Sequence, residues 1–286
     1  MSEKSAHQPT LSFEIFPPNT KVGEEKLIQT LSELKGLTPK FISVTCSNRQ
    51  HNIEQSTVRL ADYVQNQLQI PAVAHLPALY LSKQQVNQIL TALAQKGIDR
   101  VLALRGDKIA GVPTKGDFQY ASDLVSYVKS KNQAFTISGA CYPEVHPDSA
   151  NRVEDVLHLK QKVEAGCTYL VSQLFFDNQS FYQFQENCAL AGINVPILAG
   201  IMPIVNRNQA IRLIQTSKTK VPAKFKAILE KYEHRPQALR EAGLAYAIDQ
   251  IVDLVTQNVD GIHLYTMNQA QTARDISQAT QALFAS

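Results

Sequence analysis

The chain has 286 residues, long for an ordinary domain but close to the roughly 250 of an α/β barrel with modest additions. A hydrophobic content of 44% and a charged content of 19% describe a globular chain with a large core, which excludes intrinsic disorder. With 28 Lys and Arg against 25 Asp and Glu, spread along the chain, the net charge of +3 gives nucleic-acid binding no support.

Residues 1–10 are polar and hold no signal-like apolar stretch, and no apolar run is long enough to span a bilayer, so a cytoplasmic location is expected. Cys46, Cys141, Cys167 and Cys188 lie far apart with no Cys-x-x-Cys pair. They read as reduced, mostly buried small residues, and no metal site is expected.

In chain order, residues 11–16 (Leu-Ser-Phe-Glu-Ile-Phe) alternate and meet Pro17-Pro18, which ends a first strand because proline cannot donate to a ladder. That strand carries Glu14 among Phe13, Ile15 and Phe16. Such a carboxyl either turns to water or sits desolvated, where its pKa rises and it can act as an acid near neutrality. Residues 21–35 have helical spacing in Leu27, Leu31 and Leu34, and residues 41–45 form a second strand whose exit, Thr45-Cys46-Ser47-Asn48, is small and polar. A helix over 54–69 leads to Pro71 and a third strand, 72–76, with His75 near its end. There His75 is either a satisfied core residue or a ligand contact.

Ser82 is placed to cap a helix to Lys96 that Gly97 stops. The fourth strand, 100–104, is a run of β-formers ending in Arg105, Gly106 and Asp107. Charge at the exit of a buried strand is costly unless it serves something, although a solvated turn with a capping Asp explains the same residues. After a loop at 108–117, residues 120–131 are helical. The fifth strand, 135–142, exits through Pro143-Glu144-Val145-His146-Pro147, a loop in which two prolines restrict Tyr142 and His146. The helix over 152–165 carries Asp155 and Lys162 seven apart on one face, where surface charge is the plainer explanation.

The sixth strand, 169–176, includes Gln173, whose amide needs partners in protein, water or ligand. A helix over 178–191 and a seventh strand, 195–202, follow. Asn206 caps a helix to about residue 217, a polar helix-rich insertion precedes a helix over 241–258, and an eighth strand at 261–267 leads to a closing helix, 269–284. Eight strands alternating with helices, without a linker or composition break, predict a single-domain (β/α)8 barrel with an extra helical insertion between strands seven and eight. A doubly wound sheet is disfavoured because no Gly-x-Gly-x-x-Gly follows a strand. In a barrel, Glu14, Thr45, His75, the Arg105–Asp107 turn, Tyr142 and Gln173 all reach one bowl, the usual place for an active site.

These segments resemble the methylenetetrahydrofolate reductase family. The likeness rests on Phe13-Glu14-Ile15-Phe16-Pro17-Pro18, Ser43-Val44-Thr45, His75-Leu76, Ala103-Leu104-Arg105-Gly106-Asp107 and Tyr120-Ala121-Ser122-Asp123-Leu124. It continues through Ala140 to Pro147 apart from Cys141, Gln173 with Phe175-Phe176-Asp177, Gly200-Ile201 and Tyr265-Thr266. The resemblance implies a barrel that holds FAD and reduces 5,10-methylenetetrahydrofolate to 5-methyltetrahydrofolate with NAD(P)H. The implied cycle is ping-pong and feeds methionine biosynthesis. It places FAD against Thr45, His75, Arg105, Gly106, Asp107, Tyr120, Ala121, Tyr142, His146, Asp155 and Lys162. It gives the folate Glu14, Asp107 and Gln173, with Glu14 the general acid and Asp107 shared between flavin and pterin. Members are often homo-oligomers.

The chain departs from the family at Cys46-Ser47-Asn48, at Arg207 where relatives carry an aromatic, and at Gln269 where an Arg usually meets the folate tail. A catalytic-domain-only member, without the regulatory domain of longer ones, is expected. Two other readings stay open: a related flavin-dependent barrel oxidoreductase with another donor or acceptor, and a non-catalytic flavin- or folate-binding protein.

Overall fold

The computed structural model describes residues 8–18, 20–46, 54–108, 111–217 and 219–285. Ser47 and Asn48 of the second strand's exit, and most of the polar N-terminus, lie outside them. Eight parallel strands close a barrel in sequence order: β1 (Thr10–Ile15), β2 (Ile42–Val44), β3 (Ala72–Pro77), β4 (Arg100–Leu104), β5 (Thr136–Cys141), β6 (Tyr169–Ser172), β7 (Ile197–Ile201) and β8 (Gly261–Tyr265). The closing seam pairs β1 with β8, from Thr10 opposite Gly261 to Glu14 opposite Tyr265.

Around it run α1 (Lys21–Lys35), α2 (Arg59–Asp62), α3 (Lys83–Gln95), α4 (Ala121–Lys131), α5 (Arg152–Glu164) and α6 (Asn178–Leu190). Between β7 and β8 lie α7 (Arg207–Ser217), α8 (Ala223–Lys231) and α9 (Pro236–Thr256), and α10 (Ala270–Thr280) follows β8. The caps form where the sequence places them. The Ser82 hydroxyl accepts from Gln85 N while the Gln85 side chain accepts from Ser82 N, and Asn206 accepts from Gln209 N at 2.8 Å.

Period-two alternation sorts each strand between two cores. Phe13, Ile15, Ile42, Val44, Leu76, Val101 and Ile137 face the helices, while Phe41, Val73, Leu102, Val171 and Leu198 fill the lumen. A satellite cluster of Leu174, Phe176, Ile204, Phe225 and Tyr246 fastens α8 and α9 under the exits of β6 and β7.

Three boundaries differ from the sequence expectation. β6 stops at Ser172, so Gln173 lies beyond the strand: its N–H still bonds Cys141 O at 2.7 Å, but its side-chain oxygen accepts from Leu174 N at 3.0 Å and ends the ladder. The helix expected over 54–69 is α-helical only at α2, with π-helical turns at Glu54–Val58 and Tyr63–Gln67. α9 begins at Pro236 rather than 241, because proline's fixed φ suits a first helical turn.

Candidate active site

The parity of β1 decides what surrounds Glu14. Phe13 and Ile15 point to the helical layer, so the apolar setting expected for the carboxyl is absent. Ser12 and Glu14 instead share the lumen with polar groups of β2, β3 and β8. The Glu14 Oε2 atom lies 3.7 Å from His75 Nε2 and 3.6 Å from His263 Nε2, outside direct hydrogen-bond reach of either ring. Its side chain is 19% exposed at the mouth of the barrel, so a proton or ligand arriving there meets it.

His263 is fully buried and stacks on Phe41 with ring centroids 5.6 Å apart. Its Nδ1 lies 2.8 Å from Ser12 Oγ and its Nε2 3.2 Å from Ser43 Oγ. The Ser12 hydroxyl also donates to Ile262 O at 3.2 Å, so the ring is held between two serines. Burial lowers the His75 pKa to about 4, against the opposing pull of the Glu14 charge, so the His75 ring is neutral near pH 7. Tyr265 crosses the lumen and donates to Ser172 O at 2.7 Å. It fits only because Gly200 lacks a side chain: a Cβ there would stand 2.2 Å from Ser172 O and 2.8 Å from the tyrosine ring.

The β4 exit turns sharply at Gly106 (φ +86°), packed against Pro77 and the Tyr80 ring, and Tyr80 OH donates to Asp107 O at 2.7 Å. Arg105 reaches the β5 exit loop and pairs with Asp148 at 2.6 Å, while Asp148 N donates to His146 Nδ1 at 3.0 Å. Tyr142 and His146 meet edge to face at 4.5 Å. Burial raises the Tyr142 pKa to about 12, with Asp107 adding to the rise and Arg105 opposing it. Gln173 lines a small cavity beside Tyr142, Glu144 and Thr219. Thr45 holds the β2 exit through its backbone, with N bonded to Ile15 O and its own O accepting from Thr57.

The remaining sequence candidates lie to one side. Tyr120 is exposed at the N-terminus of α4, stacked on His158, and Ala121 behind it is buried. On α5, Asp155 accepts from Ser149 Oγ, and Lys162 runs behind β5 to donate to Ala140 O at 2.6 Å. The lysine stem passes where a Cβ on Gly139 would be, 2.7 Å from Lys162 Cδ. Burial lowers the Lys162 pKa. Glu14, His75, Arg105, Gly106, Asp107, Tyr142, His146 and Gln173 thus come together at the strand exits, whereas Asp155, Lys162, Tyr120 and Ala121 flank the β4 and β5 side. Sequence reasoning missed Ser12, Ser43 and His263. Their signal was parity: Ser12 is two residues from Glu14, and His263 two from Tyr265.

Three features test the fit of a flavin nucleotide. Arg105 Nε and His75 Nε2 are buried without a hydrogen-bond partner among the described residues, the Gly106 turn gives close access to backbone, and Arg105 brings a guanidinium to this side. The residues fit such a group.

The family model for methylenetetrahydrofolate reductase matches residues 1–281. The chain belongs to that family. It is 33% identical over 263 residues to 5,10-methylenetetrahydrofolate reductase of Pectobacterium carotovorum, covering 91% of this chain and 86% of that protein. The Arabidopsis thaliana methylenetetrahydrofolate reductase (NADH) 1 is 34% identical over 280 residues, and the chain spans only 47% of its length. A solved Clostridium thermocellum protein, described as binding two copies of 5-methyl-5,6,7,8-tetrahydrofolic acid, superposes with a TM-score of 0.71 over 98% of this chain and 96% of its own. At 13% identity that likeness shows the fold alone. Among the described residues no helix is long and apolar enough to cross a membrane, and no group of side chains is arranged to hold a metal ion.

Proposed function

We propose that this chain reduces 5,10-methylenetetrahydrofolate to 5-methyltetrahydrofolate, using electrons from NAD(P)H through a bound FAD. The observation that carries the reading is Glu14, a mouth-facing carboxyl between the imidazoles of His75 and His263 in a chain of this family. FAD, when bound, supplies hydride chemistry that side chains lack. Arg105, His146 and Lys162 are the groups suited to its phosphate and ribityl oxygens, with Gly106, Thr45, His75, Tyr120, Ala121, Tyr142 and Asp155 around them.

The protein's own work is placement and proton transfer. Glu14 delivers a proton to the bridging nitrogen of the folate, so that the five-membered ring opens to an iminium able to accept hydride. Glu14 stands at the mouth, 3.7 Å from His75 and 3.6 Å from His263, where the nitrogen of an incoming folate can reach it. Asp107 and Gln173, at the exits of β4 and β6 on either side of β5, are placed to hold the pterin. One mouth serves donor and folate, which supports their entering in turn.

The test is Glu14→Gln in the FAD-loaded protein. Flavin reduction by NAD(P)H should stay near wild type, while folate turnover falls by about 10²–10⁴, the usual range for a general acid. Undiminished folate reduction would sink the assignment.

A further inference from the structure

The β1–β8 ladder ends at Glu14 opposite Tyr265, and the β8 chain then turns away. Met267 (φ +51°) and Asn268 (φ +55°) are consecutive left-handed residues, a conformation that costs any side-chain-bearing residue and that asparagine tolerates better than most. The turn would leave the Phe16 N–H and C=O unpaired at the mouth. The Asn268 side chain takes both: Phe16 N donates to Asn268 Oδ1 at 3.1 Å, and Asn268 Nδ2 donates to Phe16 O at 2.9 Å. One amide side chain thus replaces one residue of the missing strand.

Asn268 is itself held from both sides. Its N–H donates to Thr266 Oγ1 at 3.2 Å, and its C=O accepts from Thr30 of α1 at 3.4 Å. The same Thr266 hydroxyl donates to Glu14 O at 2.6 Å. Asn268 and Thr266 therefore grip the two residues that flank Ile15: the acid Glu14 and Phe16, which keeps the parity of Ser12 and Glu14 and is 38% exposed at the mouth. Pro17 and Pro18 follow and add no backbone donor.

We propose that Asn268 is a positioning residue for the folate step: its amide extends the β1–β8 seam past Glu14 and fixes the acid and the Phe16 ring against the incoming folate. The inference rests on the reductase reading. Among the described residues the clasp bonds Phe16, Glu14, Thr266 and Thr30 and not Arg105 or His146, so flavin binding and its reduction by NAD(P)H do not depend on it.

The experiment uses FAD-loaded Asn268→Gly, which removes both bonds and relieves the left-handed backbone, and Asn268→Asp, which keeps size and acceptor but loses the donor to Phe16 O. Single-turnover measurements follow flavin reduction by NADH and its reoxidation by 5,10-methylenetetrahydrofolate, and NMR follows amide exchange at Phe16. In Asn268→Gly the Phe16 amide should exchange at least about 10-fold faster while Phe13 in the ladder does not, and reoxidation by folate should slow by up to about 10²-fold, the scale of a 1 Å misplacement. Flavin reduction should change less than about threefold. Asn268→Asp should lie between, and it is the variant to read if the glycine protein folds poorly. Unchanged Phe16 exchange, unchanged reoxidation, or an equal fall in both half-reactions overturns the proposal. A wild-type flavin that folate does not reoxidise refutes the reductase reading instead, and Phe16 exchange still decides whether the clasp exists.

Discussion

His75 shows how far a single side chain is set by its surroundings. Burial holds its folded pKa at about 4 against an ordinary 6.5, so between those values the unfolded chain binds a proton that the folded protein refuses. Its neutral form is therefore fully compatible with folding above pH 6.5, and stability is lost as pH falls toward 4. The shift corresponds to roughly 3–4 kcal/mol at most. Urea unfolding of wild type and His75→Gln across pH 4–7 should show a steeper loss toward acid in the wild type, and parallel curves would refute the neutral, buried ring. His75 and Glu14 were legible in the sequence as candidates, but their relation was not. Only the alternation of β1, referred to a closed lumen, exchanges Phe13 and Ile15 for two imidazoles as the neighbours of Glu14.

At the scale of elements, α9 decides how tightly the β7 exit is drawn in. Gly243 lies in that helix, and a Cβ built on it would stand 1.8 Å from Ile204 O. Helix propensity alone predicts that Gly243→Ala stabilises by roughly 0.5–1 kcal/mol. Overpacking against backbone, which cannot rotate aside, costs about 1–3 kcal/mol and wins. The urea midpoint of Gly243→Ala should therefore fall, and a rise would show that α9 does not press on the β7 exit. The start of this helix was misread by five residues because Pro236 breaks a local pattern as readily as it opens a helix. The β6 end was misread because Leu174, Phe175 and Phe176 continue the apolar run of the strand, although Leu174 and Phe176 pack in the satellite cluster.

For the molecule as a whole, flavin uptake is the most direct check of the β4 and β5 side. If Arg105, His146 and Lys162 hold a pyrophosphate, FAD at 100 times its Kd adds about 2.7 kcal/mol and raises the thermal midpoint. Riboflavin, without phosphate, should raise it less, and Arg105→Ala should narrow the difference. Equal rises with both ligands would remove these groups from phosphate binding.

The sequence by itself determined the alternation of eight strands with helices, most element ends, and the polar residues at the strand exits, because period-two and helical spacing, caps and prolines act over a few residues. The family motifs added the identity of those exits. Only the tertiary structure decided that Glu14 sits between His75 and His263, that Lys162 runs behind β5, and that Asn268 completes the seam above Glu14. Each of these joins distant parts of the chain, and closure of β8 onto β1 fixes the first and the last. A local pattern says which face a residue takes; it cannot say which faces meet.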